Sequence, residues 1–407
     1  MKGGRQNMLE AEAHQESLLE FDERAVMRTY ARQPLTIVRG AGMYVYDEAG
    51  RAYLDFTSGI AVCALGHCHP ALVAAVTEQV QTLWHMSNLY LTAPQAELAA
   101  RLTEASGFDR VFFANSGAEA NEAAIKLARR HAKVKYGAHK GEILTFANSF
   151  HGRTIATVTA TAQPKYQEGF GPLPSGFRYV EELSLPAVAA ALSPKTCAVM
   201  IEPIQGEGGV LPVPAPFLQE LRAFCDRSGL LLIFDEVQTG AGRTGAWLAW
   251  QRLGVKPDIA TMAKALAGGL PMGAMLATEE VSAAFAPGAH GSTFGGNPVA
   301  ARAALAVLDV VLAPGFLEGV KRRGVQLHTA LCSLAARTDR IVDIRGMGLM
   351  WGVELAGMKA AEAVERCRER GLLALTAGVN TLRLLPPLIA SAADVEKAVA
   401  ILTDALL

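Results

Sequence analysis

Lys264 follows the apolar run Ile259–Met262 and Ala263 and stands alone in a stretch otherwise free of charge. A lysine in such a run is partly desolvated. That lowers its pKa and suits an amine that must attack a carbonyl and form a Schiff base. A lysine snorkelling from a strand end leaves the same trace in a sequence. Upstream, Asp235-Glu236-Val237-Gln238-Thr239-Gly240 follows the apolar run Leu230–Phe234. A carboxylate there is expensive to leave unpaired and should face a cation, and a protonated pyridine nitrogen is one such cation. A helix N-cap or a metal-binding pair would use the same residues, but no histidine-rich set accompanies them, so no metal is expected. The interval from 235 to 264 has room for a helix and one strand, which puts both groups at neighbouring strand ends.

Asn115-Ser116-Gly117-Ala118-Glu119-Ala120 follows Val111–Ala114 and opens a helix predicted to reach about His131. Ser116 with Glu119 fits a capping box. Gly117 admits a close ligand, and the free N–H groups of the first turn suit an anion such as a phosphate. An ordinary capped helix reads the same way. Phe150-His151-Gly152-Arg153-Thr154 sets an aromatic, an imidazole and a guanidinium after Ile143–Phe146, and the arginine suits bidentate carboxylate recognition. In Gly66-His67-Cys68-His69-Pro70 the close spacing and the proline predict a structural turn ahead of a helix. No Walker A loop and no complete G-x-G-x-x-G after a strand are present.

The elements that must carry these groups follow from periodicity. Short apolar runs at Val111–Ala114, Ile143–Phe146, Ala198–Ile201, Leu230–Phe234, Ile259–Met262 and Ala274–Ala277 alternate with helical stretches. That pattern predicts an α/β fold, its sheet mostly parallel and covered on both faces. The polar groups lie just past the runs, where ligands bind in open α/β sheets, so four strand ends point at one crevice. Thr36–Val38, Tyr44–Tyr46 and Tyr53–Phe56 predict a β-meander. Helices are predicted over 298–313 and about 315–336, then strands at Leu349–Leu355 and Thr381–Leu385 with a helix between them and another at the end. The expected division is a tail or short helix over 1–22, a large domain over 66–299, and a small domain from 23–65 and 300–407.

Apolar residues make up 51% of the 407 and charged residues 19%, enough for a sizeable core. The net charge of −1, with no basic stripe, argues against nucleic acid. No apolar run reaches membrane length, and the polar stretch Met1–Glu23 is no secretory leader. Six cysteines lack C-x-x-C spacing. A cytoplasmic protein is expected.

Taken in order, Asn-Ser-Gly-Ala-Glu-Ala-Asn at 115–121, Phe-His-Gly-Arg-Thr at 150–154, Glu-Pro-Ile-Gln-Gly-Glu-Gly-Gly at 202–209, Asp-Glu-Val-Gln-Thr-Gly at 235–240, Lys264 and Thr-Phe-Gly-Gly-Asn-Pro at 293–298 resemble the class III aminotransferases, pyridoxal 5'-phosphate (PLP) enzymes of fold type I. The resemblance covers nearly the whole chain. It implies a large domain with a mostly parallel mixed sheet flanked by helices, a smaller α/β domain from both chain ends, and a homodimer with a shared active site. It makes Lys264 the residue that carries PLP as a Schiff base, Asp235 the partner of the pyridine nitrogen, Gln238 a neighbour of the ring hydroxyl and Phe150 the residue stacked on the ring. Gly117 and Ala118 would bind the phosphate, helped by Thr293 from the other subunit, with Ser116, His151 and Glu202 also at the cofactor. Arg383 resembles the family's substrate-carboxylate arginine, Glu207 the acid that pairs with it, and Arg153 is a second clamp for a dicarboxylate such as 2-oxoglutarate.

Within the class, Asp55–Cys63 running into Gly66–Pro70, Arg345–Leu349 and Ala377-Gly378 ahead of Arg383 resemble the branch that acts on the terminal amine of N-acetylornithine in arginine biosynthesis. Ile60, where relatives using free ornithine tend to carry tyrosine, fits a substrate whose α-amine is acylated, and Tyr30 is available to a substrate carboxylate. Free ornithine, 4-aminobutyrate, succinyl-diaminopimelate and a carrier-bound lysine precursor remain the alternative donors.

Overall fold

The structure, a computed structural model, describes residues 18–407. Most of the expected tail, residues 1–17, lies outside the described residues. Leu18–Ala25 is a helix without a buried residue.

The six apolar runs become strands of a seven-stranded sheet. Its order is Arg110–Ala114, Gly273–Ala277, Ile259–Met262, Leu231–Asp235, Thr196–Ile201, Glu142–Phe146 and Phe177–Val180. Only Gly273–Ala277 runs antiparallel to its neighbours. The central strands are buried throughout because both faces are covered, which is why they read as unbroken apolar runs rather than alternation. Alternation persists in space. Ile143, Met200, Ile233, Ile259 and Met275 meet the helix Gly117–Tyr136 on one face. On the other, Leu144, Val199, Leu232 and Phe234 meet Phe217 and Leu221 of the helix Ala215–Ser228.

Six strands among the described residues escaped the sequence reading, four of them the two- or three-residue pieces Ile204–Gln205, Leu211–Pro212, Leu372–Leu373 and Leu375–Ala377. Phe177–Val180 is a half-exposed sheet edge without an apolar run, and Ile341–Met347 carries Asp343, Arg345 and Gly346 through a mostly half-buried antiparallel pairing. The latter opens a second sheet, ordered Ile341–Met347, Met350–Leu355, Thr381–Leu384, Leu375–Ala377. The meander forms over Ile37–Ala41, Tyr44–Asp47 and Ala52–Asp55, and its last strand pairs in parallel with Leu372–Leu373. Met43, Leu54 and Phe56 therefore share one core with Leu327, Val353 and Leu402.

The helix Pro298–Val311 starts where Asn297 caps it by accepting the Ala300 N–H at 3.0 Å and Pro298 presets its first φ. Its buried face, including Ala301, Leu305 and Leu308, packs in the cluster that holds Ala260 and Leu276 of the large sheet. A boundary after residue 299 thus cuts through the first turn of an element that packs in the large core, and we propose drawing it after this helix. Among the described residues no single helix is long and apolar enough to cross a membrane.

Candidate active site

A cavity of about 430 Å³ opens at the carboxyl ends of the large sheet, lined by Asn115–Ala118, Asn121, Phe150–Arg153, Glu202, Asp235, Val237, Gln238 and Lys264 among others. This is within the roughly 300–1,000 Å³ common for small-molecule sites. All four predicted strand ends contribute to it.

Asp235 closes the strand Leu231–Asp235 and is 4% exposed. Its Oδ2 accepts from Asn121 Nδ2 and His151 Nδ1, both at 2.8 Å, and its Oδ1 accepts the Val237 N–H at 3.0 Å. Glu202 lies in the same wall and accepts the Phe150 and Gly206 N–H groups at 2.9 and 3.2 Å. Burial, followed by the Asp235 charge, pushes the Glu202 carboxyl well above its ordinary range.

Glu236 takes the opposite side of the strand end. It accepts from Thr239 Oγ1 and from the N–H groups of Ala249 and Trp250, capping the helix Ala249–Leu253. Burial raises it to about 7, partly offset by those hydrogen bonds. The helix-cap reading of Asp235-Glu236 therefore applies to Glu236.

Lys264 begins a 3₁₀ turn, Lys264–Ala267, with φ at +45°. A non-glycine residue in this left-handed region costs of order 1–3 kcal/mol and persists where the surroundings over-determine it. Among the described residues its amine makes no hydrogen bond. Burial, above all, lowers it from 10.5 to about 8, with Glu207 raising it and Arg383 lowering it.

The helix Gly117–Tyr136 points its N-terminus into the cavity. Ser116 Oγ accepts the Glu119 N–H at 3.2 Å, as a capping box requires, but the Glu119 carboxylate takes the Asn115 N–H at 2.8 Å rather than that of Ser116. The box is displaced by one residue. A Cβ on Gly117 would sit 2.7 Å from the Val237 side chain, and one on Gly152, at φ +137°, would sit 2.8 Å from the Ala118 Cβ. Both glycines exist so that three chain segments can converge on this N-terminus.

Arg383, on Thr381–Leu384, reaches from the second sheet. It pairs with Glu207 at 2.5 and 3.2 Å and donates to Gln238 Oε1 at 3.0 Å. Burial alone would raise Glu207, but the Arg383 guanidinium outweighs it and holds the carboxyl below its ordinary value. Arg153 is exposed at the cavity edge, its guanidinium 4.3 Å from the Tyr166 ring centre. Phe150 meets Tyr166 edge-on at 5.4 Å.

Five expected residues do not line this cavity in one chain, and two of them, Glu207 and Arg383, reach it only through their hydrogen bonds to Gln238. Tyr30 is 76% and Ile60 45% exposed, and Thr293 faces a different cavity beside Asn88 and His290. Val62 lines the site instead of Ile60. The backbone explains the substitution. Ser58, Gly59, Ile60 and Ala61 form a left-handed turn with φ of +48° to +65°, a conformation costing roughly 1–2 kcal/mol per L-residue. Asp55 Oδ1 pins it through Thr57 N–H, Thr57 Oγ1 and Ser58 N–H at 2.7, 2.6 and 3.1 Å. Asp55 Oδ2 meets His67 Nε2 at 2.8 Å. The predicted turn at His67 therefore serves this clamp.

Asn121 and Thr261 are residues the sequence reading left without a role. An asparagine on an alanine-rich buried helix face needs a partner, and that need was the available signal.

Residues 25–406 match the family model for aminotransferase class-III. The acetylornithine aminotransferase of Gloeobacter violaceus is 52% identical over 93% of this chain and 95% of its own length. The acetylornithine/succinyldiaminopimelate aminotransferase of Yersinia pestis is 47% identical over 95% and 96%. Among solved structures, the N-acetylornithine aminotransferase of Stenotrophomonas maltophilia superposes with a TM-score of 0.83 at 37% identity, covering 95% of this chain and 98% of that one.

Proposed function

The chain belongs to the class III aminotransferases, and from that premise we propose that it transfers the terminal amine of N-acetyl-L-ornithine to 2-oxoglutarate with PLP as cofactor. The products are N-acetylglutamate semialdehyde and glutamate, a step of arginine biosynthesis in the cytoplasm. The observation that carries the reading is one cavity uniting an amine without a hydrogen-bond partner among the described residues, a buried three-donor carboxylate and an open helix N-terminus. The donor is supported by relatives of about half identity along nearly the whole chain.

The residues fit PLP. When bound, PLP supplies an aldehyde that takes up amines and a ring that draws electrons from the carbon beside them. The N–H groups of Gly117 and Ala118, with Ser116, would hold the phosphate, joined by Thr293 of a second copy in a homodimer. Phe150 would cover the ring, with His151 and Glu202 at its edge, Gln238 near its hydroxyl and Asp235 at its nitrogen. Lys264 Nζ is the amine available to the aldehyde and the base that takes a proton from the substrate carbon and returns it. Arg383 and Arg153 would clamp the two carboxylates of the 2-oxo acid. Glu207 would neutralise Arg383 when the acylated donor, with one carboxylate, is bound. Tyr30 and Ile60 would bound the donor from the loops beside Val62.

A lysine held near 8 is neutral in about a tenth of molecules at pH 7. The expected result is that capture of PLP by the apoprotein, followed by absorbance, speeds up about tenfold per pH unit below 8 and levels off above it. A rate still climbing at pH 10 would contradict this, because it would mean an ordinary lysine.

One second reading has a specific support: the named dual specificity of the Yersinia pestis relative. It predicts succinyl-diaminopimelate as a donor of comparable efficiency. The deciding experiment follows the visible band of the PLP-loaded protein as donors are added. Fastest bleaching by acetylornithine, with recovery on adding 2-oxoglutarate, is expected. Free ornithine or 4-aminobutyrate bleaching fastest would overturn the donor assignment, and a protein that stays colourless with PLP would overturn the cofactor.

A further inference from the structure

We propose that Thr261 and Asn121 are positioning residues for Asp235: the Thr261 hydroxyl sets the Asn121 amide, whose nitrogen holds the carboxylate. Three buried side chains stand in line. Thr261 Oγ1 donates to Asn121 Oδ1 at 2.7 Å, and Asn121 Nδ2 donates to Asp235 Oδ2 at 2.8 Å and to the His151 carbonyl at 2.7 Å. Thr261, Asn121 and His151 are at most 2% exposed, so water does not substitute for any of them.

The chemistry leaves one arrangement. Both groups facing the nitrogen end of Asn121 are acceptors, a carboxylate and a carbonyl, so the –NH₂ must lie there. The oxygen end then faces Thr261, whose hydroxyl must donate. A turned amide would set two acceptors against Asp235 Oδ2 at contact distance.

The backbone places the line. Asp235 and Thr261 are register partners on adjacent parallel strands, and Asn121 lies one turn into the helix whose first residues are Gly117 and Ala118. The same helix therefore fixes the anion cradle and, through Asn121, the carboxylate. His151 supplies the second hold on Oδ2 through Nδ1, which must donate because a carboxylate faces it, and its Nε2 is buried without a partner among the described residues.

The inference rests on the PLP reading above, and its test keeps the two apart. Wild type, Thr261→Val and Thr261→Ser are loaded with PLP. The dissociation constant of PLP, the pH midpoint of its visible band, kcat and the KM for 2-oxoglutarate are measured for each. If the wild type binds no PLP, the cofactor reading fails before any variant is compared. With binding intact, Thr261→Val should lower kcat about tenfold, as loss of an orienting outer partner commonly does. It should also shift the pH midpoint while KM stays within about twofold. Thr261→Ser should restore both. Should Thr261→Val not accumulate as folded protein, Thr261→Cys, with only a weak S–H donor, takes its place. A kcat and a pH midpoint that match wild type in the variant lacking the hydroxyl would overturn the relay, and so would a serine variant no better than valine.

Discussion

Lys264→Ala removes turnover by at least about three to four orders of magnitude and removes the visible absorbance that wild type gains with PLP. A positioned acid–base group alone contributes about 10²–10⁴-fold, and among the described residues Lys264 is also the only amine side chain lining the cavity. Stability should not follow activity down. The amine is desolvated and makes no hydrogen bond among the described residues, so its loss leaves none of them an unsatisfied buried partner, and the left-handed backbone at 264 persists with alanine. The melting temperature is therefore expected at or above that of wild type. Lys264→Arg should be equally inactive, because a guanidinium stays protonated at every usable pH. The assignment of Lys264 fails if either variant keeps more than about one per cent of wild-type turnover.

Asp235→Asn is the second large effect, a loss of about 10²–10³ in kcat, the range for removing one preorganised charge. The amide is nearly isosteric, but the site has no place for its protons. Oδ2 faces two donors, Asn121 and His151, and Oδ1 faces the Val237 N–H. Whichever way the new amide turns, its –NH₂ meets a donor. One hydrogen bond is lost and a buried donor is left unpaired, about 1–3 kcal/mol of stability. Without the Asp235 charge, Glu202 keeps its burial but loses its second cause of elevation. Half-reaction rates and thermal melts on the same preparation decide the matter. A variant within about threefold of wild type in rate would remove Asp235 from the mechanism.

Legibility in the sequence depended on burial. The runs at Leu230–Phe234 and Ile259–Met262 could be read as strands because both their faces are covered, which forces apolar residues at every position but Thr261. Phe177–Val180 has a half-exposed edge and left no such record. The same contrast governs the site. Lys264 and Asp235 stood out as charges attached to apolar runs, and the structure puts both in one cavity. Ile60 could not be placed by pattern, since periodicity carries no information about a turn of left-handed backbone. Nor could adjacent carboxylates be told apart, because a strand sends Asp235 and Glu236 to opposite sides and only the surrounding helices distinguish them. Asn121 lay within a quoted motif and still went unassigned, since its role depends on a strand far along the chain.

The parallel pairing of Ala52–Asp55 with Leu372–Leu373 also orders events in time. On a ribosome, every strand of the large sheet has been made once residue 277 has emerged, and with it the residues from Asn115 to Lys264 that line the cavity. The meander is made first but finished last. Met43, Leu54 and Phe56 have no core to enter until helices and strands about 300 residues later arrive. A nascent chain therefore carries a complete sheet behind an unclosed, apolar N-terminal flap. This is the interval in which association with another chain, or protection by a chaperone, competes with the native pairing.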